Sequence, residues 1–136
     1  MNYCNFVDYR TVLNNQKMNV FDANEAFVKG TIFKTLYIPY KNYLPKQPVS
    51  STEKGRQMLD IQKYFAAEHD LSLYLDVFPN DKNVIDLRND YIDKYNQALE
   101  KYQNKYCTVI RNDESSKRIP YNWSTTPWPW EGNKNV

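Results

Sequence analysis

The sequence predicts an all-α fold: an antiparallel helical hairpin with a short N-terminal helix and extended aromatic or proline-rich segments at both ends. Three observations predict it. Two long stretches carry apolar residues at helical spacing. Pro79, with Asn80 and Asp81 directly after it, separates them. The remaining prolines lie outside both stretches, where an extended backbone is expected.

Residues 1–21 show neither a helical nor a strand period and read as an irregular aromatic segment. Asp22 then caps a short helix, with Glu25 three residues on in a capping-box arrangement, and Gly30 stands where a left-handed residue usually ends a helix. About two turns fit between them, too few to be stable alone, so this helix must lean on something. The run from Thr31 to Ile38 meets Pro39, and residues 41–49, with Pro45 and Pro48, read as an extended linker.

Ser50 and Glu53 form a second capping box that opens a helix running to about Phe78, where Pro79 blocks continuation. At 100° per residue this helix has two apolar stripes. The first holds Ile61, Tyr64, Ala67, Leu71, Tyr74, Leu75 and Phe78; the second, nearly opposite, holds Leu59, Ala66, Leu73 and Val77. Asn80 or Asp81 caps the next helix, which reaches about Cys107. That helix has one stripe (Val84, Ile85, Tyr91, Ile92, Tyr95, Ala98, Leu99, Tyr102, Tyr106) and a polar opposite side. So short a connection makes the pair antiparallel, each helix about 40 Å long. The later helix covers the first stripe of its mate, and the second stripe is left for the chain's own ends or for another molecule. Glu68 and Arg88 interrupt the apolar stripes, and two long side chains reaching out to the rim are slightly favoured over an interhelical ion pair. The domain reading is 1–49, 50–131 for the hairpin with its tryptophan-rich tail, and a disordered end at 132–136.

Twelve Tyr, six Phe and three Trp among 136 residues exceed what so small an interior holds, so some aromatics are expected at contact surfaces. A net charge of +2, spread along the chain, lacks the basic footprint of a nucleic-acid binder. No secretory signal and no apolar run of the roughly 20 residues that span a bilayer is visible, so cytoplasmic synthesis and no membrane partner are expected. Cys4 and Cys107 read as two free thiols. Three glycines leave no phosphate loop, and His69, the single histidine, adjoins Glu68 rather than standing three residues from it as di-metal bundles require. No catalytic residue, cofactor or metal site is expected.

The segment Glu25-Ala26-Phe27-Val28-Lys29-Gly30-Thr31-Ile32-Phe33-Lys34-Thr35-Leu36-Tyr37-Ile38-Pro39-Tyr40 resembles the CotJA spore coat family, departing from its pattern at Phe27 and Lys34. Residues 55–131 resemble the CotJB spore coat family. The resemblance lies in Leu71-Ser72-Leu73-Tyr74-Leu75-Asp76-Val77-Phe78-Pro79-Asn80-Asp81, in Trp123, and in Pro127-Trp128-Pro129-Trp130-Glu131. The chain thus looks like a fusion of the two. The resemblance implies a coat component made in the mother-cell cytoplasm, accompanied by a coat manganese catalase similar to CotJC and by other coat proteins. It supplies no catalytic residues.

A non-enzymatic assembly protein of the spore coat is the expectation. Its partner-binding residues would be Tyr37, Pro39, Tyr40, Leu59, Leu73, Val77, Trp123, Pro127, Trp128, Pro129 and Trp130, because tyrosine and tryptophan dominate interface hot spots. A homo-oligomer is compatible with this reading. The rival is an accessory subunit or chaperone of the catalase.

Overall fold

The structure, a computed structural model, describes residues 19–124. Of the irregular segment expected over 1–21, residues 1–18 lie outside the described residues, as do the Pro127–Trp130 motif and the end at 132–136. Within them are helices α1 (Ala23–Lys29), α2 (Glu53–Val77) and α3 (Lys82–Lys105), then 3-10 turns at Glu114–Lys117 and Asn122–Ser124. The expected all-α hairpin is what forms, with α2 and α3 packed antiparallel.

Helix α1 is capped as its sequence dictates. The Asp22 carboxylate accepts the N–H groups of Asn24 and Glu25 at 2.8 and 3.1 Å. Gly30, at φ 78°, turns the chain left-handed and donates its N–H to the Ala26 carbonyl. Glu25 does not reach back to close a box but pairs with Lys29 one turn on, at 3.6 Å. Seven residues have no stability of their own, and α1 gains it by burying Ala23 and Ala26 against α2.

The chain around α1 closes on itself. Phe21 donates its N–H to the Ile32 carbonyl at 2.8 Å, and Val20 and Phe33 form an antiparallel bridge. The unit is fastened to α2 by one carboxylate. Asp70 Oδ2 accepts the Thr31 hydroxyl at 2.9 Å and the Ile32 N–H at 2.7 Å, while Thr31 Oγ1 accepts the Phe33 N–H. Ile32 and Phe33 are thereby pressed into the core, Phe33 stacking on Tyr74 with ring centroids 5.2 Å apart.

Helix α2 starts later than Ser50 and Glu53 suggest. Thr52 is its cap, its hydroxyl accepting the Gly55 N–H at 3.1 Å. Glu53 is therefore the first helical residue, too early to return to Ser50, and its carboxylate takes Gln57 at 3.0 Å and Lys105 at 2.8 Å instead. The Lys105 contact closes the open end of the hairpin. At the other end Asp81 caps α3 through the Val84 N–H and accepts the Tyr74 hydroxyl at 3.0 Å.

The first stripe of α2 is buried as patterned. Ala67 and Leu71 join Val84, Tyr91 and the α1 unit near the turn, and Ile61 packs with Leu99 and Tyr102 toward the open end. Between these clusters the expectation of Glu68 and Arg88 lying free at the rim is corrected. Arg88 Nη2 meets Glu68 Oε1 at 2.7 Å, and Ser72 Oγ links them, accepting from Arg88 Nε and donating to Glu68, each at 2.7 Å. Ser72 supplies the bridging hydroxyl that makes pairing better than solvation.

Helix α3 ends at Lys105, two residues short of Cys107, where buried Gln103 gathers the returning chain. Its Oε1 accepts the N–H groups of Val109 and Ile110 at 2.8 and 3.1 Å, and its Nε2 donates to Asp113 at 3.1 Å.

Asp70→Ala should cost about 1–3 kcal/mol by stranding two donors. In limited proteolysis, cleavage before residue 50 should accelerate while most helical circular dichroism survives. Burial pushes the phenols of Tyr91 and Tyr102 up from their ordinary value. The folded chain resists their ionisation and the unfolded chain does not, so stability is unaffected at neutral pH and falls as pH rises past about 10. An alkaline titration at the phenolate absorbance should show this buried pair ionising only as helicity is lost.

Candidate docking surface

Residues 38–49 cross the surface without regular structure. Pro39, Pro45 and Pro48 keep the backbone extended. A turn at Tyr40–Tyr43, closed by the Tyr43 N–H on the Tyr40 carbonyl at 2.8 Å, holds Lys41 at φ 38°, a left-handed conformation that a side chain adopts at some cost. The apolar side chains of this strap face water: Ile38 is 85% exposed, Leu44 82%, Val49 88% and Tyr40 70%. Single exposed apolar residues need no explanation, but a run of them in one short segment does.

The strap ends beside the second face of α2. There Val49, Pro48, Phe27, Leu59 and Arg56 line a cleft of about 350 Å³. On the other side of Phe27, a hollow of about 270 Å³ lies among Ala26, Ile32, Ala66, Asp70 and Leu73. Helix α1 covers the middle of the second stripe and leaves both ends open. Leu73 and Val77, toward the turn, are about half exposed.

The residues anticipated from sequence distribute as follows. Pro39, Tyr40, Leu73 and Val77 are exposed, and Leu59 is half-buried in the cleft. Tyr37 packs edge-on against Phe21 at 5.9 Å, with the Lys29 ammonium 5.2 Å from its ring, so it belongs mainly to the α1 unit. Trp123 is half-buried in the second 3-10 turn, within the loops that follow the C-terminal end of α3. Pro127, Trp128, Pro129 and Trp130 lie outside the described residues. Ile38, Tyr43, Leu44 and Val49 were missed by sequence reasoning because the prolines marked this stretch only as a linker. Its signal was the density of apolar side chains in a segment with no period to bury them.

Charge marks the same region. Lys29, Lys34, Lys41 and Lys46 occur between Glu25 and Glu53 with no Asp or Glu among them, so the even distribution read from the whole chain is locally broken. Arg56 and Lys63 extend this positive edge along the cleft. Lys63 pairs with Asp60 at 2.6 Å, and Arg56 donates to the Ser51 carbonyl at 3.2 Å. Among the described residues no three His, Cys, Asp or Glu side chains converge as metal ligands would, and no helix is long and apolar enough to cross a membrane.

The family model of the CotJB protein matches residues 56–131, more than half of the chain. The chain belongs to the CotJB family. It is thus a spore coat protein in kind. No curated protein and no solved structure matches it. The CotJB match begins at Arg56, the fourth residue of α2, so the α1 unit and the strap precede the family region.

Exposure of the outer stripe sets a stability test. Leu73→Ser with Val77→Ser should shift unfolding by no more than about 1 kcal/mol, since surface changes are small. Leu71→Ala, at a fully buried position, should cost about 2–5 kcal/mol. Urea denaturation of the variants measures both.

Proposed function

We propose that this CotJB-family chain is a non-enzymatic assembly component of the coat, working by displaying apolar and aromatic side chains to protein partners. The observation that carries this reading is the strap: Ile38, Tyr40, Leu44 and Val49 stand in solvent beside an open apolar cleft. An isolated protein gains nothing from that exposure, whereas an interface gains buried area and aromatic anchors.

The docking residues in this proposal are Pro39, Tyr40, Leu59, Leu73 and Val77 around α1, with Tyr37 supporting the strap from behind. Trp123 and the Pro127–Trp130 motif form a second contact at the other end of the chain. The likeness of residues 25–40 to CotJA supports the further proposal that the chain unites two coat components. Joining them raises the effective concentration of each for the other. The proposed partner is a coat manganese catalase of the CotJC kind, with the coat as the final location.

Size-exclusion chromatography with the purified catalase tests this. The intact chain should co-elute with it, and Trp128→Ala with Trp130→Ala should lose co-elution while retaining helical circular dichroism. Retained co-elution of the double variant removes the tryptophan contact from the proposal, and no co-elution of the intact chain ends the catalase assignment. Catalase metal content separates the rival accessory role, since a scaffold leaves occupancy unchanged.

A further inference from the structure

The strap carries more than apolar exposure. Lys34, Lys41 and Lys46 have no carboxylate within ion-pair distance among the described residues, and neither does Arg56 at the mouth of the cleft. Lys41 and Lys46 flank Tyr43 and Leu44, and the cleft lined by Phe27, Val49 and Leu59 opens beside Arg56. Unneutralised cations thus alternate with exposed apolar side chains along one extended segment.

We infer that the strap and its adjoining cleft receive an acidic segment of a partner protein, with one large apolar side chain entering the cleft and flanking carboxylates meeting Lys41, Lys46 and Arg56. This rests on the assembly reading above and adds the chemistry of the partner. Within 38–49, among the described residues, one backbone N–H is bonded to a backbone carbonyl, that of Tyr43. An extended segment with free backbone donors and acceptors offers main-chain hydrogen bonds that a protein can return. A second copy is a poor occupant, because the outer side of α3 offers carboxylates (Asp86, Asp93) without apolar side chains between them. An anionic membrane is less suited, since polybasic lipid-binding segments crowd about four to eight cations together. Nucleic acid would want comparable basic density.

The test uses the full chain, immobilised, to select from a display library of random dodecapeptides. Recovered peptides should be enriched in Asp and Glu around at least one aromatic or large aliphatic residue. A synthetic peptide of the best sequence should bind about tenfold more weakly to Lys41→Glu with Lys46→Glu, and weaken as salt is raised. Lys82→Glu with Lys101→Glu, on α3, should bind it unchanged. All four lysines are exposed, so circular dichroism should report intact folding. The inference is overturned if selection yields no peptide or peptides without acidic bias, or if charge reversal on the strap leaves binding intact. Tighter binding of phosphatidylglycerol vesicles or of oligothymidylate than of the best peptide also overturns it. Co-elution with the catalase, run on the same preparations, keeps the two readings apart. Co-elution with unbiased peptides ends the acidic-partner inference alone; acid-biased peptides without co-elution end the catalase assignment alone.

Discussion

The Asp70 carboxylate is the contact on which the arrangement of this molecule depends. It lies on the one helix that must serve two neighbours, and it accepts both the hydroxyl of Thr31 and the N–H of Ile32. Those donors stand at the left-handed exit of α1, so one acceptor sets where the N-terminal unit sits and which way it faces. Without it, a seven-residue helix and a single β-bridge would have to hold their place by apolar contact alone, which is non-directional. With it, Ile32 and Phe33 are driven into the hairpin core and Phe27 is set on the outer face of α2.

Lengths then decide what stays open. The second stripe of α2 runs from Leu59 to Val77, about 27 Å along the axis, while α1 is about 10 Å long. A cover that short protects the middle of the stripe and leaves a concavity on either side of Phe27. The first stripe faces no such mismatch, because α3 is as long as α2 and meets it along its whole length. The polar contacts on that side are spaced to fix register: Lys105 with Glu53 at the open end, Glu68, Ser72 and Arg88 in the middle, Asp81 with Tyr74 at the turn. None lies deep in the core, so each contributes modestly. Together they disfavour a slipped pairing, which apolar stripes tolerate more readily.

What was legible in the sequence was whatever repeats or sits at a fixed offset. The hairpin, its turn, the caps at Asp22 and Gly30, a cap at Asn80 or Asp81, and the two-sided character of α2 came from periodicity and local chemistry. Thr52 was misplaced by two residues because Ser50, Ser51 and Thr52 are all good caps and local pattern alone does not choose among them. Asp70 and Gln103 left no signal at all. Each is one polar residue within a helix, and its partners are loop groups whose position exists only once the chain has folded. The Glu68 and Arg88 pair was visible as two charges in apolar stripes. Choosing between rim and bridge required the hydroxyl of Ser72, sixteen positions from Arg88 and meaningful only at the observed register.

The strap shows how a chain can display apolar side chains without burying them itself. Three prolines remove donors and forbid a helix, so residues 38–49 cannot form an amphipathic element with a greasy side to fold inward. The lysines at 41 and 46 act in the same direction. Laying this segment over the open ends of the α2 stripe would draw their ammonium groups out of water, and those nearest the cleft would meet the like charge of Arg56. Desolvation and like charge therefore oppose self-coverage of the surface that hydrophobic burial alone would favour. An acidic partner would reverse the sign of that electrostatic term while keeping the hydrophobic one, so the features that hold the strap open in the free chain are the ones that would close it onto another molecule.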